Sequence, residues 1–105
     1  MSEALLTIIC SPALEDVLTH WLLSQENIPG FTSSKTFGHS SDTKNLTLNE
    51  QVEGRQQTVM FQIHMDTDMA DTMVNLLKAE FGDAHIHYWL TPVISSGNLK
   101  NSGKE

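Results

Sequence analysis

The chain has 105 residues, 39% of them hydrophobic and 18% charged, with six Lys and Arg and a formal net charge of −7. That length holds one domain with a single core, and the composition is that of a folded chain rather than a disordered one. The acidic balance lacks the basic stripe that a phosphate backbone requires, which argues against nucleic acid and against anionic membrane surfaces as partners.

No segment has the length and flanks of a signal peptide or a transmembrane span, so direct membrane insertion is not expected. The single cysteine, Cys10, excludes an internal disulfide and suits a reducing compartment. The expected location is the cytoplasm.

Residues 4–10 form a continuous apolar run of strand length. Ser11-Pro12 then supplies a helix-capping residue and a proline at the first helical position, where its missing N–H costs nothing. Leu14, Val17, Leu18, Trp21 and Leu22 recur at helical spacing, and Pro29-Gly30 bars continuation. Residues 31–37 alternate Phe31, Ser33, Lys35 and Phe37 against small polar side chains, a pattern that suits an edge strand.

Residues 38–57 break the pattern with twenty positions that contain only three large apolar side chains, Leu46, Leu48 and Val52. Connections in a compact domain usually run to about 4–6 residues, and longer ones tend to be functional or disordered. Residues 57–65 alternate again, with Val59, Phe61, Ile63 and Met65 on one side. Asp66-Thr67-Asp68 offers a cap and negative charge to a second helix. Its stripe is Met69, Met73, Leu76, Leu77 and Phe81, and Gly82 is placed to end it in the left-handed conformation. Residues 84–90 read as the fourth strand, stopped by Pro92, and residues 95–105 as a small, polar, flexible tail.

The order is β-α-β, long loop, β-α-β. The halves echo each other at an offset of 55, as in Leu14/Met69, Asp16/Asp71, Leu18/Met73, Trp21/Leu76 and Leu22/Leu77. Two such units interleave into an α+β ferredoxin-like βαββαβ sandwich, an antiparallel four-stranded sheet with both helices on one face. The expected organisation is one domain over residues 1–94 and a tail over 95–105.

Helices cover one side of such a sheet, so in a monomer the other side should be polar. Residues 4–10, 57–65 and 84–90 contain no Asp, Glu, Lys or Arg. The outward positions include Thr58, Met60, Gln62 and His64 on one strand and His85, His87 and Trp89 on another. A wide uncharged face of this kind points to a homo-oligomer.

His85 and His87 are spaced to share a strand face, and His64 can join them from another strand as a candidate metal set. The alternative is that all three are packed interface histidines. If they are buried neutral, the assembly should weaken as pH falls below about 6.5. Cys10 precedes a helix start, which can lower a thiol pKa, but no base is placed beside it and a buried structural thiol is the simpler reading. Gly38, His39, Gln51, Gly54 and Arg55 bracket the long loop as a candidate ligand-binding set. Arg55, the one arginine, can grip a carboxylate or phosphate bidentately, or can pair with Glu50 or Glu53 in solvent. The sequence has no phosphate loop, catalytic carboxylate pair or nucleophile elbow, so it does not support enzyme chemistry, and it names no cofactor.

Several separate strings resemble the DUF3240 family. They are Ser11-Pro12-Ala13-Leu14-Glu15 leading into Trp21-Leu22-Leu23, Gly30-Phe31-Thr32-Ser33, Gly38-His39, residues 46–56, and His87-Tyr88-Trp89-Leu90-Thr91-Pro92-Val93. The likeness covers residues 5–99. These small bacterial proteins are similar to PII and CutA proteins, which implies ferredoxin-like subunits assembled as trimers with sheets lining the interior. It also implies genes that accompany heavy-metal cation efflux systems. Residues 38–57 then correspond to the PII T-loop, the element that reads a ligand and touches a protein partner. PII nucleotide sites use basic residues near the fourth strand and the C-terminus, whereas Gly82-Asp83-Ala84-His85-Ile86-His87 offers none, so ATP binding of the PII kind is not expected.

The resemblance thus implies a PII-like regulatory module whose loop changes order when a small anion or divalent metal binds between subunits. The alternative is a direct metal-binding, CutA-like protein that uses the sheet histidines. A third reading, a small enzyme with a pocket between helices and sheet, lacks an acid–base pair.

Overall fold

The computed structural model describes residues 2–39 and 55–100. In chain order the elements are β1 (Glu3–Cys10), a 3-10 turn (Pro12–Leu14), α1 (Glu15–Leu23), β2 (Thr32–His39), β3 (Arg55–Asp66), α2 (Thr67–Phe81) and β4 (His87–Val93). The strands form one sheet in the order β2-β3-β1-β4, with every neighbouring pair antiparallel. This is the α+β ferredoxin-like sandwich that the element order predicts.

The strand period of two selects the core. Ala4, Leu6, Ile8 and Cys10 of β1 are buried beside Val59, Phe61, Ile63 and Met65 of β3. Leu18 and Leu22 of α1 and Ala70, Met73, Val74 and Leu77 of α2 close over them. Trp21 and Phe81 meet edge-to-face at 5.6 Å and tie the two helices together, while Phe31 leans on Phe61 at 5.9 Å. Thr7, the one polar buried residue among those described, lies on the sheet's other side, where Gln62 Nε2 donates to its Oγ1 at 3.5 Å.

The helix ends follow local chemistry. Pro12 begins a 3-10 turn, closed by Leu14 N–H on the Ser11 carbonyl at 3.0 Å, before α1 proper starts at Glu15. At the other end Ser24 Oγ and Gln25 Nε2 both donate to the Trp21 carbonyl, so α1 stops well short of Pro29. Asp66 caps α2 as predicted, its Oδ1 accepting from Met69 N–H at 3.0 Å.

Four sequence expectations need correction. The fourth strand starts at His87, not at residue 84, because Ala84 N–H bonds the Phe81 carbonyl and Ile86 N–H bonds the Ala84 carbonyl in a tight turn. Pro92 lies inside that strand, opposite Ala4, and is tolerated because β4 is an edge strand with one side free of ladder bonds. Gly82 has φ −62°, an ordinary right-handed conformation. What excludes a side chain there is space, since a Cβ would stand 2.5 Å from the Lys78 carbonyl oxygen. Finally, Val17 and Leu76 of the expected stripes are 48% and 43% exposed, while Ala70 and Val74 join the expected Met73 and Leu77 in the core of α2.

Candidate functional site

β2 and β3 pair along their full common length, from Thr32 opposite Gln62 to His39 opposite Arg55. The long loop therefore rises from a stem whose last rungs are Gly38 with Gln56 and His39 with Arg55. Thr36 and Thr58 fasten this stem through a 2.6 Å hydroxyl–hydroxyl hydrogen bond. Gly38 lies in regular strand, and a Cβ there would find only ordinary contacts with Thr58 and Gln56, so no steric demand makes it glycine. Gln51, Gly54 and the Arg55 side chain lie outside the described residues.

Beneath the stem, between β2 and the start of the first helix, lies a cavity of about 310 Å³. Lys35 and Glu15 contribute opposite charges to its wall, and Pro12, Phe37 and Val59 contribute apolar surface. Phe37 is 47% exposed although it alternates with residues of the helix-facing side of β2. The loop's glycines and arginine stand out in the sequence, and Lys35 does not. Its place in the edge-strand alternation was the available signal, because a charge on the core-facing phase of a strand needs an opening to reach into.

Cys10 is buried just behind this region. Burial, with the Glu15 carboxylate adding to it, pushes its thiol up to about 11. It is a neutral packing group and not a nucleophile.

The three candidate metal histidines do not converge within one chain. His64 on β3 stands opposite Leu5 of β1, and His87 on β4 stands opposite Ile9. Those positions are four residues apart along β1, about 13 Å, and their strands lie two spacings apart across the sheet, about 9.5 Å. His85 precedes β4, so it does not share a strand face with His87. Instead His64 Nε2 lies 2.7 Å from Glu3 Oε1, and Ser96 Oγ donates to the same oxygen at 2.7 Å. These two hydrogen bonds, Ser96 first, hold the Glu3 carboxyl below its ordinary value. Among the described residues no group of three or more His, Cys, Asp or Glu is arranged to hold a metal ion.

The helix-free face of the sheet can now be read in rows. Ser34, Met60, Ile9 and His87 form one, and Thr32, Gln62, Thr7 and Trp89 the next. His64, Leu5 and Thr91 form a third. None of these positions is formally charged, and Glu3 and Asp66 lie together at one margin.

The DUF3240 family model, described as a protein of unknown function, matches residues 1–100. The chain belongs to the DUF3240 family. A crystal structure of a DUF3240 family protein from Shewanella baltica is similar at a TM-score of 0.76 and 20% identity, over 95% of this chain and 99% of that one. A PII-like signalling protein of Thermus thermophilus, itself described as putative, is similar at 0.63 and 15% identity, over 89% and 88% of the two chains. The B. subtilis GlnK–ATP complex is similar at 0.51 and 14% identity, over 86% and 84%. At these identities the solved structures establish the shared fold. Comparison with curated proteins gives no match. Among the described residues no helix of this DUF3240 chain is long and apolar enough to cross a membrane.

Proposed function

We propose that this DUF3240 protein is a non-catalytic regulatory module of the PII type, in which a small anion bound at the base of the 38–57 loop changes the order of that loop. The observation that carries the reading is the cavity under the β2–β3 stem, where Lys35 brings a cation directly below the loop's origin. His39 and Arg55 form the last rung of that stem and, with Gly38, Gln51 and Gly54, are the loop-base groups assigned to the ligand. The loop, with Leu46, Leu48 and Val52, is the element assigned to a protein partner.

GlnK of B. subtilis is known as an ATP complex. Here Glu15 shares the cavity wall with Lys35, so the local charge nearly cancels. That balance favours a singly or doubly charged anion over a triphosphate. Cys10 as a neutral thiol and His64 committed to Glu3 also fit a binding module better than a catalyst.

The assembly in this reading is a homo-oligomer joined through the uncharged sheet face, and the family resemblance makes it a trimer in the cytoplasm, associated with heavy-metal cation efflux. A divalent metal as the ligand, or the CutA-like alternative of direct metal binding, requires His64, His85 or His87 from different subunits to meet, because one chain keeps them apart. Equilibrium dialysis against copper, zinc, cobalt and nickel tests it: stoichiometric uptake lost in His87→Ala supports the metal reading, and absence of uptake removes it.

The leading reading is tested by thermal unfolding with bicarbonate, phosphate, sulfate, ADP and ATP. A ligand at about 100 times its Kd adds about 2.7 kcal/mol to the folded state, an easily read shift. A small anion should raise the midpoint of the native protein, and Lys35→Ala and Arg55→Ala should each reduce the rise. A response confined to ATP, or variants that respond as the native protein does, would overturn the anion site.

A further inference from the structure

We propose that the C-terminal segment of one subunit docks Leu99 and Lys100 onto the end of α2 in a neighbouring copy, a tail-to-groove contact between identical chains. It rests on the homo-oligomer of the preceding reading. Two cavities lie side by side at the C-terminal end of α2 and share Lys78, Phe81, Gly82 and Ala84. One, of about 160 Å³, is an apolar groove between α2 and β4, with Val74, Leu77, Phe81, Ile86 and Tyr88 in its walls. The other lies over the helix's last turn and carries Glu80 and Asp83 beside the single cation Lys78.

That second site favours a cation for two reasons. The acidic pair is one. The other is the helix end itself, where the last carbonyls carry partial negative charge and that of Phe81 accepts from Ala84 N–H, beyond the helix, at 3.0 Å. Gly82, at φ −62°, does not turn back to close them in the left-handed manner. Lys78 does not neutralise the site alone, since its ammonium lies toward the Tyr88 ring, 5.8 Å from the centroid.

The tail offers the complementary pair in the matching order. Leu99 is 104% exposed, so a large aliphatic side chain stands fully in solvent, with Lys100 next to it. Asn98 Oδ1 accepts from Lys100 N–H at 3.0 Å, a side-chain turn that holds Leu99 at its apex. An apolar knob followed by a cation thus faces an apolar groove followed by an electronegative one.

The contact cannot be made within one chain. Ser96 is fastened to Glu3, and Glu3 pairs with Val93 at the far end of β4 from the groove. From Val93 back to Tyr88 the strand runs about 17 Å. Three residues beyond Ser96 span about 10 Å at most. Leu99 therefore falls short of its own groove but is free to reach a neighbour's. A tail-to-groove contact is heterologous, and a heterologous contact repeated by rotation closes a ring.

The test mixes two single variants, an affinity-tagged Leu99→Cys chain and an untagged Tyr88→Cys chain, refolds them together and oxidises mildly. Cys10 is buried with its thiol pushed up to about 11, so it stays silent. The expected result is a tagged–untagged covalent dimer on a non-reducing gel, formed in the mixture and absent from either variant alone. Light scattering is run on the same samples before oxidation. An oligomeric mass without the mixed dimer overturns the tail contact and leaves the oligomer standing, whereas a monomeric mass overturns both. Lys100→Glu should lower the self-association constant by about threefold to thirtyfold through reversal of the charge at the helix end, and an unchanged constant also counts against the contact.

Discussion

The two faces of the sheet are built from the same strands, one residue out of phase, and they end in opposite conditions. On the helix side Leu6, Ile8, Phe61 and Ile63 are completely buried by the chain's own helices. On the other side Leu5, Ile9 and Met60 are half-buried and Trp89 is 48% exposed, with no helix over them. Neither face carries a charge in its centre. An uncharged face that the chain covers is a core, and an uncharged face that it leaves open is an unfinished one. The difference between neighbouring residues such as Phe61 and Met60 is therefore a difference between folding and assembly.

The largest test of that difference substitutes those two neighbours. Phe61→Ala opens a cavity in a site with no exposure and should cost about 3–5 kcal/mol, read from the urea midpoint at a fixed protein concentration. Met60→Asp puts a charge on the open face, where a lone subunit can hydrate it. The fold should survive, with its circular dichroism unchanged, while the mass by light scattering falls to that of one chain. If Met60→Asp keeps the native mass, the open face is not the interface. Should it unfold like Phe61→Ala, the contrast between the faces is wrong.

A smaller effect is expected from the lid of the closed face. Asp66 caps α2, and its loss in Asp66→Ala leaves the Met69 N–H without its side-chain acceptor, at a cost of about 1 kcal/mol. Since α2 packs on the core side, the unfolding midpoint should drop with no change in the mass of the assembly. A change in mass would place α2's start at the interface as well.

Much of this is legible in the sequence. Alternation in residues 57–65 and the helical spacing of Leu18, Leu22, Met73 and Leu77 reflect burial on one side of a regular element, and burial is what a hydrophobic pattern encodes. Pro92 misled because a proline's cost depends on whether its strand has one neighbour or two, a property of sheet order and not of local sequence. Gly82 misled because the same residue serves a left-handed turn and a tight approach to a carbonyl. The histidine set was drawn from spacing along the chain, whereas register decides which side chains meet. His64 was committed to Glu3, 61 positions away, and nothing in either local pattern announced it. Lys35 was hidden for the same reason, since the cavity it lines is completed by Pro12 and Glu15 from a separate element of the chain.

The smallest effect concerns the margin where the open face meets charge. The Glu3 carboxyl is held below its ordinary value of 4.5 by the Ser96 hydroxyl first and by His64 second. A depressed carboxyl favours the folded state above that ordinary value, and the contribution fades as pH falls through the folded one. Glu3→Gln should therefore lower the unfolding midpoint at pH 6 relative to the native chain, and the two curves should merge as the pH is taken well below 4.5. The carboxyl is well hydrated, with its side chain 40% exposed, so the separation is small and is read as a difference between matched titrations.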